Sequence, residues 1–288
     1  MPAGLWHKPI GDIEPPALLA VLAAIKPHER AHNLTQGDRI AETMQRIRQR
    51  LDAVFEDAIF HKRCTTNPAA AVRRKMRETL PSKISGQFAA LPYKEAPAFL
   101  ARLRAAPGVA ARCLELAVLT AARTGEVLGA VWSEFDLIGK TWLVPAARMK
   151  SSGKEKAESH LVHLSARALE VLQGQIGQHA SLVFPSTVKA DSEQSNMAML
   201  AVLDRLGVRD QTTVHGLCRA TFSTWAYDTA AARPDVIEAC LAHSEADKVK
   251  AAYNRAQFTD ERRALLAAWS SYLAQPAAPV IQLPARAA

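Results

Sequence analysis

"TVHGLCRATFSTWAYD" (213–228) and, shortly after it, "CLAHSEADKVKAAYNRA" (240–256) decide how this chain is read. In the first stretch His215 and Arg219 stand at the mouth of an apolar run with helical spacing. Phe222, Trp225 and Ala226 share one face of that helix and anchor Arg219 in its first turn. Pro234 opens the next helix, "PDVIEACLAH", which ends at His243, and Tyr253 follows on a basic helical segment. Working upstream, "LTAARTGEVLGAVWSEFDL" (119–137) places Arg123 where one strongly apolar helix ends and another begins at Thr124, with Glu126 in its first turn. Such an arginine either caps and ion-pairs the helix start or presents its fork to a ligand.

Between these segments lies "WLVPAARMKSSGKEKAESHLVHLS" (142–165). "KTWLVP" and "SHLVHLS" alternate in the strand manner around a charged loop, which predicts a hairpin with a basic tip carrying Lys150, Lys154 and Lys156. Lys154 and Lys156 read as solubilising. Ser165 caps a helix running to Ile176, "SLVFPS" is a short strand or turn, and Gln194 to Leu206 is amphipathic. "TDERRALLAAWSSYLA" forms the last helix, and the Pro- and Ala-rich residues 276–288 read as a disordered tail.

Upstream, the periodicity predicts helices over Pro15–Lys26 and Asp38–Lys62. In the second, Ile40, Met44, Ile47, Leu51, Val54, Phe55 and Ile59 recur at three- and four-residue steps, with Arg46, Arg48 and Arg50 on the exposed side. A turn at Asn67-Pro68 leads into a third helix bearing Arg73, Arg74, Lys75 and Arg77. "PSKISGQFAALPY" (81–93) separates this small basic unit from the helices Tyr93–Ala105 and Val109–Ala122, and the domain boundary is expected within it. In the second of those helices Leu114, Leu116, Val118 and Leu119 are expected core.

With 36 Lys plus Arg against 28 Asp plus Glu, the net charge of +8 over 288 residues suits a polyanionic partner. Cys64, Cys113, Cys218 and Cys240 form no CxxC pair and lie mostly in apolar helical surroundings, which fits free thiols in a reducing cytoplasm. No apolar run has the length of a membrane span, and the N-terminus lacks the basic start and apolar core of a signal peptide.

Arg123, Arg219, His215, His243, Tyr253 and Lys150 suit the transfer of a phosphodiester. Negative charge spreads over the non-bridging oxygens in that reaction, and guanidinium forks match those oxygens bidentately while staying charged. The same positive field favours the phenolate of a tyrosine nucleophile, whose free pKa is near ~10. His215 and His243 are placed to orient phosphate or shuttle a proton, and Lys150 to protonate the leaving sugar oxygen. Carboxylates near these positions are scattered and lack the pairing of a two-metal nuclease, so neither metal nor cofactor is expected.

In their order, the four quoted stretches resemble the catalytic domain of tyrosine recombinases, close to the integrases of prophages and genomic islands, over roughly Gln87–Leu273. The resemblance implies a mainly α fold with a small β-hairpin or sheet. It divides the chain into a partial helical core-binding domain at 1–84, the catalytic domain at 85–275, and the tail. It makes Arg123 the first catalytic arginine, Lys150 the hairpin lysine, His215 and Arg219 the His/Arg pair, His243 the second histidine and Tyr253 the nucleophile. In this family the tyrosine forms a 3′-phosphotyrosyl link and frees a 5′-hydroxyl that attacks the partner strand. The implied partners are double-stranded DNA at attachment sites, further copies in a tetramer on DNA, and accessory DNA-bending or directionality proteins.

Two departures from the family qualify these expectations. The family usually carries a further N-terminal domain for arm-type sites, and this chain reads as starting within the opening core-binding helix. Family members usually space the pair as His-x-x-Arg, whereas Cys218 adds a residue here. That residue is either absorbed by a changed turn or rotates Arg219 away by about 100° on a 3.6-residue helix. Three activities stay open at this point: an active recombinase, a shortened remnant that only binds DNA, and a type IB topoisomerase-like enzyme.

Overall fold

A computed structural model describes residues 7–25, 36–79, 89–149, 158–243 and 257–276, in two units, Met1–Gln87 and Phe88–Ala288. Lys150, Lys154, Lys156, Tyr253 and the tail beyond Pro276 lie outside the described residues.

In the first unit prolines open α1 (Pro15–Ala23), where the missing amide hydrogen is no loss. The long helix α2 (Gln36–Phe60) is followed by α3 (Pro68–Thr79). Asn67 caps α3 by accepting from the Ala70 amide at 3.0 Å, while its own amide donates to Asp52 at 2.8 Å. Leu18, Leu22, Phe55, Ala58, Cys64, Ala69 and Val72 form the core between these helices. Two details differ from the periodicity reading. Val54 is exposed. Arg48 is only 6% exposed, because its guanidinium crosses to α3, donating to the Ala69 carbonyl at 3.2 Å and pairing with Asp52 at 3.3 Å. Arg46 and Arg50 are exposed as expected, as are Arg73, Arg74, Lys75 and Arg77 on α3.

The second unit is built around α5 (Val109–Thr120), flanked by α4 (Ala96–Ala105). Leu114, Leu116, Val118 and Leu119 are buried as expected, and so is Glu115, which is fully enclosed. Its carboxylate collects three guanidiniums: Arg104 at 3.2 Å, Arg112 at 2.8 Å and Arg167 at 2.8 Å. Such a buried charge persists only when it is paired and hydrogen-bonded. The short α6 (Thr124–Leu128) leads into β1 (Phe135–Asp136), β2 (Thr141–Val144) and β3 (His160–His163), an antiparallel sheet in that order. Its register pairs Phe135 with Trp142 and Val144 with His160. The hairpin is the one that the alternation predicts. The two-residue β1 is too short to leave an alternation signal.

Helices α7 (Ala166–Gln173, capped by Ser165) and α8 (Ala198–Arg205) follow, then a five-residue π-turn (Gly216–Ala220), α9 (Thr221–Asp228), α10 (Pro234–Cys240) and α11 (Thr259–Leu273). On α11 the Trp269 indole donates to the Val118 carbonyl at 2.9 Å and packs with Phe222, Trp225 and Tyr272. This aromatic cluster fixes the helix that follows Tyr253 in the chain against α5 and α9. The described residues are mainly helical, with one small sheet among them. No described helix is long and apolar enough to cross a membrane.

Candidate active site

Arg123 is the N-cap of α6, and its placement begins with local chemistry. Its amide donates to Glu126 Oε2 at 2.8 Å, and its guanidinium donates to Glu126 Oε1 at 2.8 Å. The bland reading of this arginine, a capping and ion-paired one, is therefore true as far as it goes. The other guanidinium nitrogen leaves the helix and donates to the carbonyls of Ala242 at 3.0 Å and Leu241 at 3.4 Å, just past the end of α10.

Arg219 reaches the same place from the π-turn. It is 4% exposed, and it donates to the Ala121 carbonyl at 2.8 Å and the Leu241 carbonyl at 2.6 Å. Ala121 and Ala242, the residues at which α5 and α10 turn away, both take the left-handed conformation, with φ of 51° and 48°. The free carbonyls at the ends of these two helices thus point at the guanidiniums, and the negative end of a helix favours a cation. Burial, and then the charge of Arg123, lower the Arg219 pKa to about 10, which leaves it protonated at neutral pH.

His243 completes the cluster. Its Nε2 lies 2.8 Å from Arg219 Nη2, and its Nδ1 lies 2.6 Å from Glu238 Oε2. An arginine only donates, so Nε2 accepts and Nδ1–H donates, which assigns the tautomer from the network. Glu238 is held in turn by the Tyr227 hydroxyl at 2.9 Å.

The extra residue at Cys218 is absorbed by a changed turn. Thr213 caps the helix start by accepting from the Gly216 amide at 2.9 Å. The helix then widens over Gly216–Ala220, and the Thr221 amide bonds the Gly216 carbonyl five residues back instead of four. A π-turn is how a helix accommodates one added residue without changing direction. Cys218 itself is buried, and burial pushes its thiol up to about 12. The turn is braced from outside by the segment that begins the second unit. The Thr213 amide donates to Ala89 O at 3.2 Å, the Leu91 amide to Thr212 Oγ1 at 3.2 Å, and Thr221 Oγ1 to Leu91 O at 2.7 Å. Part of the stretch expected to be a linker is therefore fastened to the turn that carries Arg219.

The structure thus brings Arg123, Arg219 and His243 together. His215 stands one residue before the π-turn with its side chain exposed. Lys150 and Tyr253 fall outside the described residues. Arg262 on α11 donates to the carbonyls of Leu161 on β3 and Gln257, the latter at 3.3 Å, and lies 3.5 Å from His160 Nδ1. Glu238, Tyr227 and Arg262 are not singled out by any sequence motif. A carboxylate five residues before a histidine is too weak a signal to mark a site. Among the described residues no group of three or more His, Cys, Asp or Glu side chains is placed to hold a metal ion.

Residues 90–260 match the phage integrase family, and residues 3–75 match the phage integrase central domain. Prophage integrase IntZ of Escherichia coli K12 is 32% identical over 249 residues, covering 85% of this chain and 57% of IntZ. The integrase of enterobacteria phage P4 is 32% identical over 245 residues, covering 81% of this chain and 55% of that protein. The chain therefore spans little more than half the length of these two relatives. Among solved structures, a lambda integrase dimer bound to a COC′ core site superposes with a TM-score of 0.56 at 18% identity, covering 88% of this chain and 81% of that one. The Tn1549 transposon integrase in complex with circular intermediate DNA gives 0.57 at 15%, covering 88% and 85%. At these identities the likeness is one of fold.

Proposed function

The chain belongs to the phage integrase family, and from that premise we propose that it is a site-specific DNA recombinase that integrates or excises a mobile element. The observation that carries the reading is the convergence of Arg123, Arg219 and His243 on the ends of α5 and α10. Two guanidiniums held by backbone carbonyls form a fixed positive field, which costs no reorganisation when a phosphodiester enters it. Arg123 and Arg219 clamp the non-bridging oxygens of the scissile phosphate, and His243, oriented by Glu238 with Nε2 as the acceptor, takes up and shuttles a proton beside them. His215 acts beside them. The Tyr253 phenolate attacks phosphorus, the bond to O5′ breaks, and the Lys150 ammonium gives O5′ its proton. The 3′-phosphotyrosyl link conserves the energy of the broken bond, so the 5′-hydroxyl of a partner strand can reverse the step.

Residues 1–84 serve as the helical core-binding domain and residues 85–275 as the catalytic domain. The exposed Arg73, Arg74, Lys75 and Arg77 on α3 contact phosphates. Double-stranded DNA at attachment sites is the substrate, four copies assemble on paired sites, and the protein works in the cytoplasm at the nucleoid. Solved relatives include a lambda integrase tetramer bound to a Holliday junction, which supports the assembly by analogy.

The test is a nicked suicide duplex carrying the junction sequence of the element that encodes the chain. A covalent protein–DNA band on a denaturing gel, lost in Tyr253→Phe, is expected. A native protein that shifts this DNA yet forms no covalent band is a binding protein only, and recombinase activity is then refuted.

A further inference from the structure

We propose that Arg148 is a positioning residue for Arg123: it holds the carbonyl end of α6 and so fixes where the N-cap of that helix presents its fork to a non-bridging oxygen of the scissile phosphate; this rests on the recombinase reading above. The need for such a residue comes from length. α6 has five residues, little more than one turn, and an isolated helix of that length does not hold itself. Its amide end is closed by Glu126, whose carboxylate accepts from the Arg123 amide and the Arg123 guanidinium, each at 2.8 Å. Its carbonyl end runs out of amide partners. There Arg148, the last residue of the short turn after β2, donates from one guanidinium nitrogen to the carbonyl of Glu126 and, at 3.4 Å, to that of Gly125. A cation against those carbonyls is also favoured by the helix dipole. Glu126 is thus gripped twice, by Arg123 through its carboxylate and by Arg148 through its carbonyl, so a shift of Arg148 passes to Arg123 within a single residue.

Arg148 is itself held from behind. Its other guanidinium nitrogen pairs with both carboxylate oxygens of Glu134, the second at 2.6 Å. Glu134 is fixed in turn, since the fully buried Trp142 on β2 donates its indole N–H to it at 2.9 Å. The two side chains are only 22% and 8% exposed, so little water is at hand to replace either partner. Gly129, just past the end of α6, leaves the guanidinium its room, because a Cβ there would lie 3.3 Å from Arg148 Nη2. A planar guanidinium can bridge a carboxylate and two carbonyls at once, and an ammonium cannot do so with fixed geometry. Arg148 and Arg123 line one pocket, so the brace borders the same space as the arginine that it positions.

The consequence is specific to one kind of substrate atom. Sulfur in place of a non-bridging oxygen is larger and accepts hydrogen bonds less well. A guanidinium held in one place meets that sulfur in one phosphorothioate diastereomer and oxygen in the other, so it makes the two cleave at different rates. A fork that is no longer held in register loses this discrimination, whereas a weakened fold slows every substrate alike.

Cleavage of the suicide duplex is measured with the all-oxygen scissile phosphate and with each of its two phosphorothioate diastereomers, for native protein, Arg123→Lys, Arg148→Lys, Arg148→Gln and Glu134→Gln. The Arg148 variants should cleave the oxygen substrate about tenfold slower or worse. Their ratio of rates on the two diastereomers should fall from the native value toward one, as that of Arg123→Lys does, with Glu134→Gln showing a smaller version of the same pattern. Should Arg148→Gln fail to fold, Arg148→Lys keeps the stem and the charge and carries the comparison. Arg148 variants that are slow on all three substrates with the native ratio, or that cleave at native rates, overturn the proposal, as does native protein that cleaves both diastereomers equally. Native protein that cleaves none of the three overturns the recombinase reading instead.

Discussion

Gly216→Ala is the perturbation that most directly tests how the π-turn is held. A Cβ at Gly216 would lie 1.9 Å from the Ala89 carbonyl oxygen, 2.9 Å from its carbon and 3.1 Å from Ala90 Cα. All three are backbone atoms, so no side chain can swing away. A carbon–oxygen contact settles near ~3.3 Å, so residues 89 and 90 must recede by more than about 1 Å. That movement breaks or stretches the Thr213 amide bond to Ala89 O at 3.2 Å, the Thr212 hydroxyl bond to the same oxygen at 3.3 Å, and the Leu91 amide bond to Thr212 at 3.2 Å. At roughly 1 kcal/mol per bond, with some overpacking strain added, the loss is about 3–4 kcal/mol. For a unit of this size that lowers Tm by roughly 10 °C. Gly174→Ala is the control, since its Cβ would meet only ordinary contacts at 3.6 Å. Thermal unfolding of the two variants beside native protein gives the comparison, and covalent capture of DNA gives the functional readout, which should fall with Arg219's support. A Gly216→Ala protein that melts within about 2 °C of native would falsify the claim that Ala89–Leu91 clamps the turn.

Three further outcomes follow from named contacts. Glu238→Ala removes the acceptor that fixes the His243 tautomer, so covalent capture should slow by about tenfold or more while the DNA shift in a non-denaturing gel persists; unchanged capture means that Glu238 does not orient the histidine. Glu115→Gln weakens the carboxylate to which Arg104, Arg112 and Arg167 are paired, and chemical denaturation should report a loss of about 2–3 kcal/mol, a value below about 0.5 counting against a buried network. Burial, and next the charge of Arg262, lower both His160 and His163 to about 4. The unfolded chain, with histidines near ~6.5, then binds more protons between the two values, so stability is complete above pH ~6.5 and falls as pH drops toward ~4, by roughly 2 kcal/mol per histidine at pH ~5. His163 is 2% exposed and neither ring nitrogen has a hydrogen-bond partner among the described residues, so His163→Leu should be tolerated and should flatten that slope; an unchanged slope refutes the assignment.

The chain's helices, its hairpin and the four stretches that carry the candidate site are legible in the amino-acid sequence because each is written in neighbouring residues. Apolar spacing of three and four marks α2, α5 and α9, alternation marks β2 and β3, and residue type alone nominates Arg123, Lys150, His215, Arg219, His243 and Tyr253. Those signals are local, and a local signal reports only what a segment does by itself. The meeting of Arg123 with Ala242, and of Arg219 with Ala121 and His243, spans separations of 119, 98 and 24 residues. No periodicity encodes a distance of that kind. The same holds for Arg48, whose spacing faces solvent but whose guanidinium is drawn across to the carbonyl of Ala69. It holds again for Cys218, where the motif alone allows either a widened turn or a rotated arginine. The π-turn is the form adopted, and it keeps the buried Arg219 on carbonyl partners. A buried cation without acceptors costs more than one irregular turn of helix, and only the packed tertiary structure supplies those acceptors.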